Sequence, residues 1–135
     1  MNNKQITRIR DVMKTHFDLV DGMDTVKSAL QTMIHVETKC LLVKKRHEND
    51  EYGMVMLSDI AREVLAKDRA PERVNIYEIM SKPVLTVSPE MDIRYCARLF
   101  ARFDLSRAPV VEQHGEIVGI VSFTDMVLKG LKKSN

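Results

Sequence analysis

The chain has 135 residues, 21 Lys plus Arg against 19 Asp plus Glu, 44% hydrophobic residues and no Trp, a balance that excludes a disordered tail. At this length roughly two-thirds of the extended chain's surface can be buried, so a core forms without disulfides or structural metal. A formal net charge of +2 is too small an excess to predict a phosphate-tracking nucleic-acid groove.

In chain order, the first ten residues are polar and carry no apolar stretch of signal-peptide length. Asp18 to Val20 reads as a short extended segment. Val26, Ala29, Leu30, Met33 and Ile34 then follow the i, i+3, i+4, i+7, i+8 rule of an amphipathic helix. Two β-rich runs come next, Cys40 to Val43 and Met54 to Leu57, joined by the charged stretch Lys44 to Tyr52, a solvated loop. A second helical stripe, Leu57, Ile60, Ala61, Val64 and Leu65, ends at a polar, Pro-containing stretch, Ala66 to Asn75.

The same order then recurs. Val84 to Val87 is extended, Ile93, Cys96, Ala97, Phe100 and Ala101 form a helical stripe, and Ala108 to Val111 and Ile117 to Val121 form a hairpin around Gly115. Phe123, Met126, Val127, Gly130 and Leu131 close the series. The first stripe and its copy are 67 residues apart, the second stripe and its copy 66. Such self-similarity marks a duplicated unit, here β-α-β-β-α. The expected organisation is an N-terminal tail at 1–8, repeat 1 at 9–65, a linker at 66–75, repeat 2 at 76–132 and a C-terminal tail at 133–135. Each half is marginal alone, so an α/β fold is predicted in which the two pseudo-symmetric repeats pack sheet to sheet as one compact module.

Several motifs then stand out. The second half carries Ile79-Met80-Ser81-Lys82-Pro83, Thr86-Val87-Ser88-Pro89, Ser106-Arg107-Ala108-Pro109-Val110-Val111 and Gly119-Ile120-Val121-Ser122-Phe123-Thr124-Asp125. The first half keeps Val12-Met13, Asp24-Thr25-Val26 and Gly53-Met54-Val55-Met56-Leu57-Ser58-Asp59, with Leu41 in place of Pro109 and Met56 in place of Ser122. From about Ile9 to Leu131 the chain resembles a free-standing tandem pair of cystathionine β-synthase (CBS) domains. That resemblance implies a regulatory module with no catalysis and no cofactor in the enzymatic sense. It implies binding of an adenosine-type ligand, AMP, ADP, ATP or S-adenosylmethionine, in clefts between the repeats. It also implies association into a homodimer, and regulation of another protein that the sequence does not identify.

Physical chemistry independently places an anion site where the strand ending at Val121 meets the helix starting near Ser122, because free N–H groups and the positive helix end converge there. Ser122 and Thr124 add hydroxyls, and Asp125 is an acceptor suited to the cis hydroxyls of a ribose, the role the resemblance assigns it. Arg107 offers a phosphate fork, Val84, Ala108 and Pro109 flank a base, and Thr86 bonds its edge. The competing reading is that Ser122-Phe123-Thr124-Asp125 is a helix cap using the same atoms. A weaker second site would use Val20, Lys39, Cys40, Met56, Ser58 and Asp59, where a thioether replaces a hydroxyl donor. The alternative function is a dimerisation or protein-interaction module whose clefts bind nothing.

Other chemistries are disfavoured. The four His are scattered, and Cys40 and Cys96 lie in apolar patterns outside any metal spacing, so no metal site is expected and a reducing compartment fits. No G-x-S-x-G, P-loop or dinucleotide fingerprint occurs. Lys44-Lys45-Arg46-His47 is followed by Glu48, Asp50 and Glu51, which reads as a hairpin tip rather than a nucleic-acid patch. No run approaches the ~20 apolar residues that span a bilayer, so a cytoplasmic location is expected, with neither membrane nor nucleic acid as partner.

Overall fold

The structure is a computed structural model; it describes residues 6–132, so residues 1–5 of the expected N-terminal tail and the whole expected C-terminal tail, 133–135, lie outside the described residues. The chain folds as two compact units: Phe17–Val84, and 6–16 together with 85–132.

In the unit of Phe17–Val84, β1 (Leu19–Val20) runs parallel to β2 (Cys40–Val43), which pairs antiparallel with β3 (Gly53–Met56). Between the first two strands lies α2 (Val26–Thr32), numbered after a short helix α1 (Ile9–Val12) of the other unit. Thr25 caps α2 by accepting the Ser28 N–H at 3.0 Å. The expected stripe runs on to Ile34, but the helix closes at Thr32 because the Asp18 carboxylate takes the next free donors, the N–H groups of Ile34 and His35, at 2.9 and 2.8 Å. Ile34, beyond the helix end, is exposed, and so is Leu30 within it. After β3 the chain enters α3 (Leu57–Ile60), which widens into a π-helical turn over Ala61–Leu65. The core gathers Val20, Val26, Ala29, Leu41, Val43, Val55, Val64, Val74 and Ile76.

In the other unit, α4 (Ile93–Phe103) is followed by the hairpin β4 (Arg107–Val111) and β5 (Ile117–Ser122), then by α5 (Phe123–Asp125) with a π-helical extension over Met126–Leu131. The expected extended segment Val84 to Val87 shortens to a single parallel bridge, Val87 to Val110. The hairpin turn closes through Gly115, whose φ of 89° lies where L side chains are strained. Ile9, Val12, Val87, Ile93, Cys96, Phe100, Ala108, Val110, Val121 and Met126 fill the core. Burial lifts the Cys96 thiol to about 11, so it stays protonated and inert.

The compact units do not follow the expected repeat boundaries. Residues 9–16, expected in repeat 1, pack with repeat 2, and residues 76–84, expected in repeat 2, pack with repeat 1. The same three backbone hydrogen bonds make both connections. Ile76 N–H to Asp24 O, Tyr77 N–H to Gly22 O and Val26 N–H to Val74 O recur 67 positions away as Ile9 to Met91, Arg10 to Pro89 and Ile93 to Thr7. The expected linker 66–75 is therefore only partly a connector: it forms a turn at Pro71–Arg73, and Val74 is buried.

Each exchanged segment then adds an edge to a hairpin. Ser81 and Met54 bond each other's backbone at 2.9 and 3.0 Å, and Lys14 and Ile120 do the same at 2.9 Å both ways. Beside each bridge stands a glycine that permits the close approach. A Cβ at Gly119 would lie 2.5 Å from the Lys14 carbonyl oxygen, and one at Gly53 would lie 2.9 Å from Met80 Sδ.

The α4 cap makes stability respond to acid. Asp92 accepts the Arg94 N–H at 2.8 Å and is gripped by its guanidinium, and these bonds push the carboxyl from 3.8 down to about 2. A folded-state value below the unfolded one means the stabilisation is complete above about pH 4 and is lost as pH falls towards 2. Asn caps nearly as well but does not titrate. Asp92→Asn is therefore expected to be less stable than wild type at pH 7, with the gap closing between about pH 4 and 2 in urea denaturation.

Candidate functional site

The end of the β4–β5 hairpin, where α5 begins, gathers most of the residues singled out from the second half. Arg107 stands opposite Ser122 in the strand register, and the Phe123 N–H bonds the Ser106 carbonyl at 3.0 Å, which seats the first turn of α5 on the start of β4. Arg107 is half-buried, its Nε 3.4 Å from the Ser106 hydroxyl. Thr124 is exposed, and Ser122 and Asp125 are buried. Ala108 is fully enclosed among the core residues, so it offers this place its backbone rather than a side chain. Pro109 is buried too, and its carbonyl accepts the Val87 N–H. Thr86 is exposed in the same unit, whereas Val84 is the last residue of the other one.

Ser122 caps α5, its hydroxyl accepting the Asp125 N–H at 3.1 Å and donating to Asp125 Oδ2 at 3.0 Å. The other carboxylate oxygen faces cations. Lys14 Nζ lies 2.5 Å from Oδ1 and Lys129 Nζ lies 3.8 Å from it. The Asp125 side chain is 5% exposed and that of Lys14 25%, so this pair is screened far less than a surface ion pair. Lys14 reaches the carboxylate because its backbone is fixed on β5 at Ile120. Sequence reasoning missed it: Lys14 is 111 residues from Asp125 and nothing local joins them. The available signal was the 67-residue offset, which places Lys14 where Ser81 stands in the other half.

The corresponding place in the first half is built differently. Leu57 N–H bonds the Lys39 carbonyl, as Phe123 bonds that of Ser106, and Lys39 itself is exposed with φ 59°. Asp59 Oδ2 accepts the Met56 N–H at 2.9 Å and Oδ1 accepts from Arg62 at 2.9 Å. Asp59 thus caps its own helix, the competing reading of the sequence pattern, while Asp125 leaves the Ser122 N–H alone and pairs with Lys14. Met56 presents no hydroxyl, Ser58 is exposed, and Cys40 and Val20 are buried. Among the described residues no group of three His, Cys, Asp or Glu is placed to hold a metal ion.

A family model described as the CBS domain matches residues 76–131. The solved hexameric CBS-CP12 protein from bloom-forming cyanobacteria superposes with a TM-score of 0.87 and 35% identity, over 96% of this chain and 76% of that one. The chain belongs to the CBS domain family. The CBS domain-containing protein YhcV of Bacillus subtilis is 24% identical over 96% of this chain and 90% of its own length. An uncharacterized protein of Methanopyrus kandleri, MK0525, is 30% identical over 82% of this chain, which spans only 57% of that relative. The CBS domain pair of protein MJ0100, solved in complex with 5′-methylthioadenosine and S-adenosyl-L-methionine, has the same fold, with a TM-score of 0.79 at 23% identity over 96% of this chain and all of that one. The CBS architecture read from the motifs is thus the fold observed, and no helix among the described residues is long and apolar enough to cross a membrane.

The Lys14–Asp125 pair has a measurable weight. Lys14→Met leaves a buried carboxylate with Ser122 and the more distant Lys129, and is expected to cost about 1–3 kcal/mol in urea denaturation. Asp125→Asn introduced on top of Lys14→Met is expected to cost less than Asp125→Asn alone, the coupling a double-mutant cycle reads.

Proposed function

We propose that this CBS pair is a regulatory sensor of an adenosyl ligand, a class spanning AMP, ADP, ATP and S-adenosylmethionine, acting by a change of conformation or association and carrying no reaction of its own. The observation that carries the reading is Asp125, a buried carboxylate at a strand-to-helix junction that pairs with a lysine from a distant segment as well as with the Ser122 hydroxyl. The ligands of the MJ0100 pair support it. In this reading the ribose hydroxyls donate to Asp125, and the Lys14 ammonium and the Arg107 guanidinium receive the anionic part of the ligand. Thr124 and Thr86 supply further polar contacts. The half containing Met56 and Asp59 would be the weaker site, since its carboxylate is spent on its own backbone and no hydroxyl stands at 56.

The mechanism follows from Lys14's position. The residue that pairs with Asp125 also closes the edge of β5, so a ligand that exchanges partners with Lys14 changes how firmly residues 6–16 are held. A ligand can shift that equilibrium only by its difference in affinity for the two states. We propose a homodimer in the cytoplasm as the working form, signalling to a partner protein.

A second reading, an interaction module with no ligand, is favoured by one observation: Asp125 is already satisfied by Lys14, Ser122 and Lys129. Thermal shift with each of the four ligands separates the two. At 100 times its Kd the true ligand is expected to stabilise the native protein by about 2.7 kcal/mol. Asp125→Asn is expected to abolish that shift and still unfold cooperatively. No shift with any of the four would favour the interaction module.

A further inference from the structure

Apart from the proposed nucleotide site, the unit of Phe17–Val84 holds a cavity of about 360 Å³ at the far end of β2 from Asp59. Its walls include Met23, Val43 and Tyr77, and its rim carries Lys44, Arg46 and Lys82. The volume lies in the range of small-molecule sites, which are mostly apolar with a few fixed polar groups. Two of the cations are held in place. Asp50, whose side chain is 9% exposed, accepts from Lys82 Nζ at 2.8 Å and from the Arg46 backbone N–H at 2.8 Å, and lies 3.5 Å from Arg46 Nε. Three cations against this one carboxylate leave the rim positive, above an apolar floor.

The internal repeat supplies a control. The equivalent hollow in the other unit is lined by Arg10 and Glu90, which stand at the repeat positions of Tyr77 and Met23, and by Glu112, which follows the end of β4. There Arg10 and Glu90 are joined in an ion pair, and Glu112 gives the mouth the opposite charge from Lys44. The duplication thus keeps the hollow while only one copy combines an apolar floor with a cationic rim. We infer that the cavity bounded by Met23, Val43, Tyr77 and the Lys44–Arg46–Lys82 rim binds a small amphipathic anion: a ring-sized apolar body bearing a carboxylate. The body displaces water from Val43 and Tyr77, and the carboxylate meets the rim cations. This site is independent of the adenosyl reading, since it shares no residue with the positions around Asp59 or Asp125.

The test is a titration of the full chain followed by the backbone amide signals in two-dimensional ¹⁵N NMR, with three probes: 2-naphthoate, its uncharged analogue 2-naphthamide, and acetate. Naphthoate is expected to shift the amides of Gly22, Val43 and Tyr77 and to bind at least ten-fold more tightly than either other probe. The double variant Lys44→Gln/Arg46→Gln changes two exposed side chains and is expected to fold normally, confirmed by its unchanged spectrum elsewhere, and to bind naphthoate at least five-fold more weakly. The inference is overturned if naphthoate shifts amides only outside the cavity, if naphthamide or acetate binds as tightly, or if the double variant binds like wild type.

Discussion

The paired hydrogen bonds between Lys14 and Ile120 are the constraint on which the rest of this molecule depends. A two-stranded hairpin is marginal by itself, and β4–β5 becomes the middle of a sheet only because Val87 lies along one edge and Lys14 along the other. The chain segment that supplies Lys14 belongs by the repeat boundaries to the first repeat, yet it completes the unit built from the second. Ser81 does the same for β3 in the other unit, so both units depend on a segment that the repeat boundaries assign elsewhere. Glycines at 53 and 119 make the approach possible, since a side chain at either place would collide with the arriving segment.

Function grows out of that exchange. Once the Lys14 backbone is fixed on β5, its ammonium has one buried carboxylate within reach, and Asp125 becomes an ion-paired group instead of a helix cap. In the first half the equivalent edge residue is Ser81, which has no charge to offer, and Asp59 turns to the Met56 N–H and to Arg62. Two copies of one pattern have thus diverged in what their carboxylates do. Part of the divergence is electrostatic: the lysine at one repeat position pairs with its aspartate, whereas the serine at the other offers no charge and Asp59 bonds its own helix start and Arg62.

Much of the fold was legible in the sequence because it rests on periodicity. The apolar stripes gave α2 and α4, the β-rich runs gave both hairpins to within a residue or so, and the offsets of 66 and 67 gave the duplication. What escaped was non-local. The end of α2 is fixed by Asp18, 16 residues from Ile34, and the stripe says nothing of it. The exchange of edge segments was invisible to a reading that drew each unit as a continuous stretch, although Gly53 and Gly119, small residues inside strands, carried a trace of it. Around the candidate site, Ser122 and Asp125 were singled out from the sequence, whereas Lys14 was not, because an ion pair across 111 residues leaves no local pattern. Ala108 was expected beside a ligand and lies in the core, since the alternation of β4 turns it inward with Val110.

Native-state hydrogen exchange at individual amides tests the edge exchange most directly. The Lys14 and Ile120 amides are expected to show the same high protection and to lose it together as urea is raised, because each bonds the other's carbonyl and neither bond survives alone. Exchange at Lys14 as fast as in an unstructured peptide, with Ile120 still protected, would contradict the account.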